Sequence, residues 1–214
     1  MNFHAIIFDL DGTLVETLDL YEQACIEAFA IVKIKMTRAE FAKLYQTGWT
    51  IPQWMAHYSI DAENETAIRK KRDDIYVQLL KKQTSWRQGA EPLLAYIKDK
   101  TKTGIVTGAF KRYVDAMNDH MKFDRYIDTI ITADELAEKM KPNPYGLTLA
   151  ANKMKVDPRR CLYVGDQQID VEAANAAGMV SCLVRHTHTG PNAHLSAKLA
   201  TDNLEDLVKI LQSA

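Results

Sequence analysis

His4-Ala5-Ile6-Ile7-Phe8-Asp9-Leu10-Asp11-Gly12-Thr13 opens with an unbroken apolar run and ends in two acids and a glycine. An apolar run without polar alternation is the mark of a strand buried on both faces, as in a parallel sheet covered by helices. Residues 103–106, 126–131, 161–164 and 180–184 share this texture, and helical stretches lie between them. The spacing predicts one helix over 144–154, with Asn143 as N-cap and Pro144 at N1. Another, over 171–177, ends at Gly178, the expected C′ residue. Leu204, Leu207, Val208 and Leu211 form a core-facing stripe on a last helix. The fold class is therefore α/β, a Rossmann-like parallel sheet sandwiched by helices.

Residues 17–85 contain no strand candidate. Leu18, Tyr21, Cys25, Ala28, Phe29 and Val32 make one amphipathic helix, and Thr37 with Glu40 is a capping box for a second. Ile68, Ile75, Leu79 and Leu80 mark another, longer helix. The expected organisation is an α/β core of residues 1–16 and 86–214 with an inserted all-helical cap at 17–85. The two crossings fall near Glu16 and residues 85–89.

The chain of 214 residues carries 27 basic against 28 acidic groups, so no bulk field recruits nucleic acid or an anionic membrane. Cys25, Cys161 and Cys182 are far apart, which argues against a disulfide framework or zinc site and suits a reducing compartment. The first residues lack a basic region and a cleavage-like segment, and no apolar stretch is long enough to span a bilayer. A soluble cytoplasmic protein is expected, with monomer and homodimer both compatible.

Three of these strands run directly into polar residues: Asp9 and Asp11 after the first, Thr107-Gly108 after the second, Gly165-Asp166 with Asp170 after the fourth. Ligands of open parallel sheets bind at the carboxyl edge, so Asp9, Asp11, Thr107, Asp166 and Asp170 should meet there. Lys141 precedes a helix that starts on the same side. One cation facing four carboxylates implies a divalent metal, and oxygen ligands without His or Cys indicate Mg²⁺ rather than zinc.

On these residues the chain resembles the haloacid dehalogenase superfamily, in particular the helical-cap branch that includes phosphoglycolate phosphatases and β-phosphoglucomutases. Asp9-Leu10-Asp11-Gly12-Thr13-Leu14-Val15 matches the first motif, Thr107 the second, Lys141 the third, and Gly165-Asp166 with Asp170 the fourth. The resemblance implies a Mg²⁺-dependent phosphatase acting through an aspartyl-phosphate on a small monoester of the phosphoglycolate, sugar phosphate or nucleotide type, with Asp9 as nucleophile and Asp11 as general acid and base. It also implies that Asp9 ligates the metal, that Asp11 offers it its main-chain carbonyl, that Asp166 ligates it, and that Asp170 does so directly or through water. Thr107, Gly108 and Lys141 would hold the phosphoryl group.

The physics agrees with those roles. Two like charges at ~4 Å cost about 4 kcal/mol at an effective dielectric near 20, so a carboxylate attacks a phosphate dianion only where cations offset the repulsion. Asp11 would need a raised pKa to hold a proton for the leaving alkoxide.

Other features have plainer readings. Arg69-Lys70-Lys71-Arg72 beside Asp73-Asp74 reads as a solvated helix face. Trp49 and Trp54 are expected in the cap core, while Gln46, Thr47, Gly48, Trp49 and Thr50 are candidates for reading the leaving group. His186, His188 and His194 sit in a Gly/Pro-containing loop and read mainly as loop residues. Gly108 stands where many relatives carry Asn, and Glu16-Thr17 replaces the usual Asp-Ser. A β-phosphoglucomutase-like mutase shares every core residue and is the main alternative. A phosphonoacetaldehyde hydrolase-like enzyme would need a Schiff-base amine, for which Lys33, Lys35 and Lys43 are available. A non-enzymatic phospho-acceptor module is disfavoured by Asp11, since a lasting acyl phosphate is poorly served by an adjacent acid/base.

Overall fold

Every side chain of Ala5–Phe8 is buried, so this strand has helices on both faces. A computed structural model describes residues 3–185 and 196–213. Its strands are β1 (Ala5–Phe8), β2 (Val15–Glu16), β3 (Ser85–Trp86), β4 (Lys102–Val106), β5 (Thr129–Ile131), β6 (Cys161–Gly165), β7 (Val180–Val184) and β8 (Leu199–Thr201). Six of them form one parallel sheet in the order β5-β4-β1-β6-β7-β8. Ranked along the chain, that is the doubly wound order in which connections run to one side of β1 and then, from β6, to the other. Such a reversal opens a crevice at the carboxyl ends of β1 and β6.

Two compact units share the chain: Met1–Glu16 with Ser85–Ala214, and Thr17–Thr84. In the first, the helices are α5 (Ala90–Ile97), α6 (Lys111–Met121), α7 (Ala133–Leu136), α8 (Tyr145–Met154), α9 (Gln168–Ala176) and α10 (Leu204–Ser213), numbered after the four helices of the second unit. Ala5, Ile7, Cys161 and Tyr163 share one core cluster with Leu147, Ala150 and Ala151 of α8 and Ala173 and Ala174 of α9. Alternate residues of β1 and β6 thus face these two helices, while α10 packs on α5. Each large apolar side chain so buried contributes about 1.5–3 kcal/mol.

The structure moves several sequence-based boundaries. Residues 126–131 are not one strand. Phe123–Tyr126 turns as a 3-10 helix after the left-handed Lys122, and only Thr129–Ile131 joins the sheet. Pro144 is the N-cap of α8 rather than its first residue, and Asn143 Oδ1 accepts from Tyr145 N at 2.9 Å. The helix expected over 171–177 begins earlier, at Gln168, and Gly178 follows its end at φ +73°. Short β8 extends the sheet by a sixth strand, and β2 pairs antiparallel with β3 where the chain passes between the units.

The second unit comprises α1 (Leu18–Ala30), α2 (Arg38–Gln46), α3 (Ile51–His57) and α4 (Glu65–Gln83). Thr37 and Glu40 form the capping box of α2, and Cys25, Phe29, Phe41, Trp54, Met55 and Ile68 share the core. Trp49 is a correction to the sequence reading: it is 39% exposed, whereas Trp54 is 2% exposed. Arg72 corrects the solvated face, because its side chain is only 12% exposed, bonded to Asp73 and to the Tyr21 hydroxyl. Lys33, Lys35 and Lys43 are all exposed. All three cysteines are free and buried. Among the described residues, no helix is long and apolar enough to cross a membrane. His186, His188 and His194 lie outside the described residues.

Candidate active site

Register brings the acids together. Phe8 lies opposite Ile105 of β4 and Val164 of β6, so Asp9, Thr107 and Asp166 emerge at one edge within a residue of each other. Asp9 N donates to Val164 O at 2.9 Å, and Thr107 N to Ile131 O at 3.0 Å, which continues the ladder past the strand ends. Asp9, Asp166 and Asp170 are buried, and each offers a carboxylate oxygen within 4.8 Å of the other two.

Lys141 supplies the cation. Its Nζ lies 2.5 Å from Asp9 Oδ1 and 2.6 Å from Asp170 Oδ1, with its side chain 8% exposed. The bond to Pro142 that follows is cis. Tyr163, from β6, completes the group: its hydroxyl accepts from Lys141 at 3.1 Å and lies 3.3 Å from both Val106 O and Asp170 Oδ1. Asp170 Oδ2 also accepts from Gln167 N at 3.0 Å in the first turn of α9. That turn lies so close to the strand end that a Cβ at Gly165 would sit 2.4 Å from Asp170 Cβ. Only glycine allows such an approach.

Asp166 Oδ1 accepts from Thr13 Oγ1 at 2.9 Å. The chain between Asp9 and β2 turns at Gly12, with φ of +82°, where a Cβ would lie 2.8 Å from Asp166 Oδ2. Arg87 braces the same turn by donating to Gly12 O and, at 2.9 Å, to Arg185 O. Asp11 is half-buried, and its side chain turns to Thr107, whose hydroxyl donates to Asp11 Oδ2 at 3.4 Å. Its carboxylate is not one of the three that converge. Gly108 follows at the mouth of the site, and a Cβ there would meet only Met140 Cε, at 3.2 Å.

Burial dominates the electrostatics. It pushes Asp9 well above the ordinary carboxylate range, against the attraction of Lys141, and the charges of Asp170 and Asp166 push the same way. Burial and the charge of Asp170 raise Asp166 to about 6. Burial by itself would lower Lys141, but Asp170 and Asp9 outweigh it and hold the ammonium well above its usual value. The Tyr163 phenol is raised, chiefly by burial, and stays neutral. Ionised, the three carboxylates outnumber the Lys141 ammonium that bonds two of them, with the Arg87 charge also acting on Asp166, and the donor set is buried and all oxygen. That is the charge and ligand chemistry of a hard divalent cation.

Sequence reasoning did not single out Thr13, Arg87 or Tyr163. Thr13 follows the acidic motif directly, but Tyr163 sits inside an apolar strand run and Arg87 in a connecting loop. Neither setting signals a polar role. Gln46, Thr47, Gly48, Trp49 and Thr50 are all exposed on the helical unit, with Gly48 at φ +69°.

Comparison with known proteins gives a family. A family model described as haloacid dehalogenase-like hydrolase matches residues 6–184. An N-acetylmuramic acid 6-phosphate phosphatase of Pseudomonas aeruginosa is 26% identical over 100% of this chain and 97% of its own length. Phosphoglycolate phosphatase 1 of the same organism is 27% identical over 98% of this chain and 80% of its own. Among solved structures, CbbY from Rhodobacter sphaeroides in complex with phosphate superimposes with a TM-score of 0.82 at 25% identity, covering 96% of both chains.

Proposed function

Because the chain belongs to the haloacid dehalogenase-like hydrolase family and is a phosphatase of it, we propose that it cleaves small phosphate monoesters through a phosphorylated Asp9, with Mg²⁺ as cofactor. The observation that carries this reading is the Lys141 ammonium, 2.5 Å from Asp9 and 2.6 Å from Asp170 at the edge where Asp166 also emerges. Asp9, Asp166 and Asp170 would hold the ion by their carboxylates, and Asp11 by its main-chain carbonyl. When bound, Mg²⁺ supplies the positive charge and Lewis acidity that an anionic nucleophile needs against a phosphate dianion.

The chain's own groups do the rest. Asp9 Oδ attacks phosphorus and the ester oxygen leaves, taking a proton from Asp11. Asp11 then removes a proton from water as that water attacks the acyl phosphate, which releases inorganic phosphate and restores Asp9. The charge of Lys141 favours the ionised form of Asp9 against burial, and the Thr107 hydroxyl with the Gly108 main chain receives the phosphoryl oxygens. We assign this chemistry to residues 1–16 and 86–214, and the choice of leaving group to the cap at 17–85. We take the substrate to be a small phosphate monoester of the phosphoglycolate, sugar phosphate or nucleotide type, a reading supported by relatives named for N-acetylmuramic acid 6-phosphate and phosphoglycolate.

Hydrolysis of p-nitrophenyl phosphate with Mg²⁺, abolished by EDTA and by Asp9→Asn, is the expected result. Stable phosphorylation without turnover would make the protein a phospho-acceptor switch. Interconversion of a sugar 1-phosphate and 6-phosphate would make it a mutase.

A further inference from the structure

A lysine ammonium has three N–H donors and no acceptor. At Lys141 all three have partners: Asp9 Oδ1 at 2.5 Å, Asp170 Oδ1 at 2.6 Å and the Tyr163 hydroxyl at 3.1 Å. As it stands, the lysine has no donor left for a phosphoryl oxygen. One bond must open before Lys141 can take part in holding substrate.

Energetics choose which one. Bonds from an ammonium to a carboxylate are charged at both ends and stronger than one to a neutral hydroxyl. The Tyr163 contact is neutral on one side and the longest of the three. Releasing it leaves no buried donor stranded, because the phenolic hydrogen still has Val106 O and Asp170 Oδ1 within 3.3 Å. Tyr163 is only 1% exposed and comes from the interior of β6, with its ring in the core cluster beside α8 and α9, so its hydroxyl is fixed in place. It bridges the end of β4, at Val106, to the lysine.

We infer that Tyr163 is a positioning residue: its hydroxyl holds the third donor of Lys141 in the substrate-free enzyme and yields it to an oxygen of the bound phosphoryl group. This rests on the phosphatase reading above and adds to it a competitor that sets how tightly phosphate binds. Removing the hydroxyl should therefore tighten phosphate binding, which a loss of mere structural support would not do.

Tyr163→Phe keeps the ring and deletes the oxygen. With saturating Mg²⁺, inorganic phosphate should inhibit p-nitrophenyl phosphate hydrolysis by this variant at about 2- to 10-fold lower concentration than in the wild type, the span of one hydrogen bond's net contribution. An inhibition constant unchanged or raised overturns the inference. If the variant does not fold, 3-fluorotyrosine placed at position 163 retains the hydroxyl and reports in the ¹⁹F spectrum. Its resonance should move on saturation with inorganic phosphate and Mg²⁺, and an unmoved resonance overturns the inference as well. A wild type that turns over no phosphate monoester defeats the underlying phosphatase reading. An active wild type whose phosphate inhibition ignores Tyr163→Phe defeats the inference alone.

Discussion

Replacing Lys141 with Met removes the ammonium that bonds Asp9 and Asp170, at 2.5 and 2.6 Å, and leaves both carboxylates buried. Breaking a buried pair from one side costs about 3–5 kcal/mol. Protonation sets a ceiling. A carboxyl with an ordinary value near 3.8 can accept a proton at pH 7 for about 4.4 kcal/mol, at 1.36 kcal/mol per pH unit. The expected loss at pH 7 without metal is therefore about 3–4 kcal/mol, or roughly 6–16 °C in Tm for a chain of this size. At pH 5 the same ceiling falls to about 1.6 kcal/mol, so the penalty should shrink by roughly half or more.

The sign follows from the groups involved. Lys141 has a raised value, so its own contribution is fully present below the ordinary lysine value and lost only as pH rises through the raised one. Between pH 5 and 8 the wild-type ammonium stays charged, and the pH dependence of the difference belongs to the orphaned acids. Thermal denaturation of wild type and Lys141→Met in EDTA at both pH values measures this. A loss below about 1 kcal/mol, or one equal at pH 5 and pH 7, would refute the pairing.

Gly165→Ala puts a Cβ 2.4 Å from Asp170 Cβ and should lower kcat about 100-fold if Asp170 shifts by about 1 Å; steady-state kinetics near wild type would contradict this. Asp166 is raised to about 6 from 3.8, so without metal its proton stabilises the fold fully below about 3.8 and that stabilisation is lost as pH rises through about 6. Because the proton competes for the same oxygens, apparent Mg²⁺ affinity measured by calorimetry should be about tenfold lower at pH 5 than at pH 7. Trp54→Ala should cost about 3–5 kcal/mol, as Trp54 packs on Phe29 and Phe41 at 6.0 and 5.6 Å between ring centroids. Exposed Trp49→Ala should stay within about 0.5 kcal/mol, both read by urea denaturation.

The acid cluster was legible because each strand runs straight into its carboxylate: a parallel register carries neighbouring strand ends to one edge, whatever lies between them in sequence. Tyr163 was not, because Leu162-Tyr163-Val164 is apolar throughout and a strand buried on both faces gives no alternation to show which way a side chain points. Leu199–Thr201 is too short for a periodicity to register, yet it joins the sheet through its main chain. Asp128 shows why the strand before it was overextended. Its carboxylate accepts from Thr103 N at 2.8 Å, tying a turn to the sheet where Tyr126 and Ile127 look like strand. The two tryptophans were equivalent as letters. Trp54 shares its buried helix face with Ile51 and Met55, whereas Trp49 precedes the helix and has no face to join.

The proposed role of Asp9 as nucleophile is tested most directly by acid-quenching a single turnover with Mg²⁺ and mapping the phosphorylated peptide by mass spectrometry. A phosphoryl group on Asp9, absent from Asp9→Asn, is the expected result. Phosphate on any other side chain, or undiminished turnover by Asp9→Asn, would contradict it.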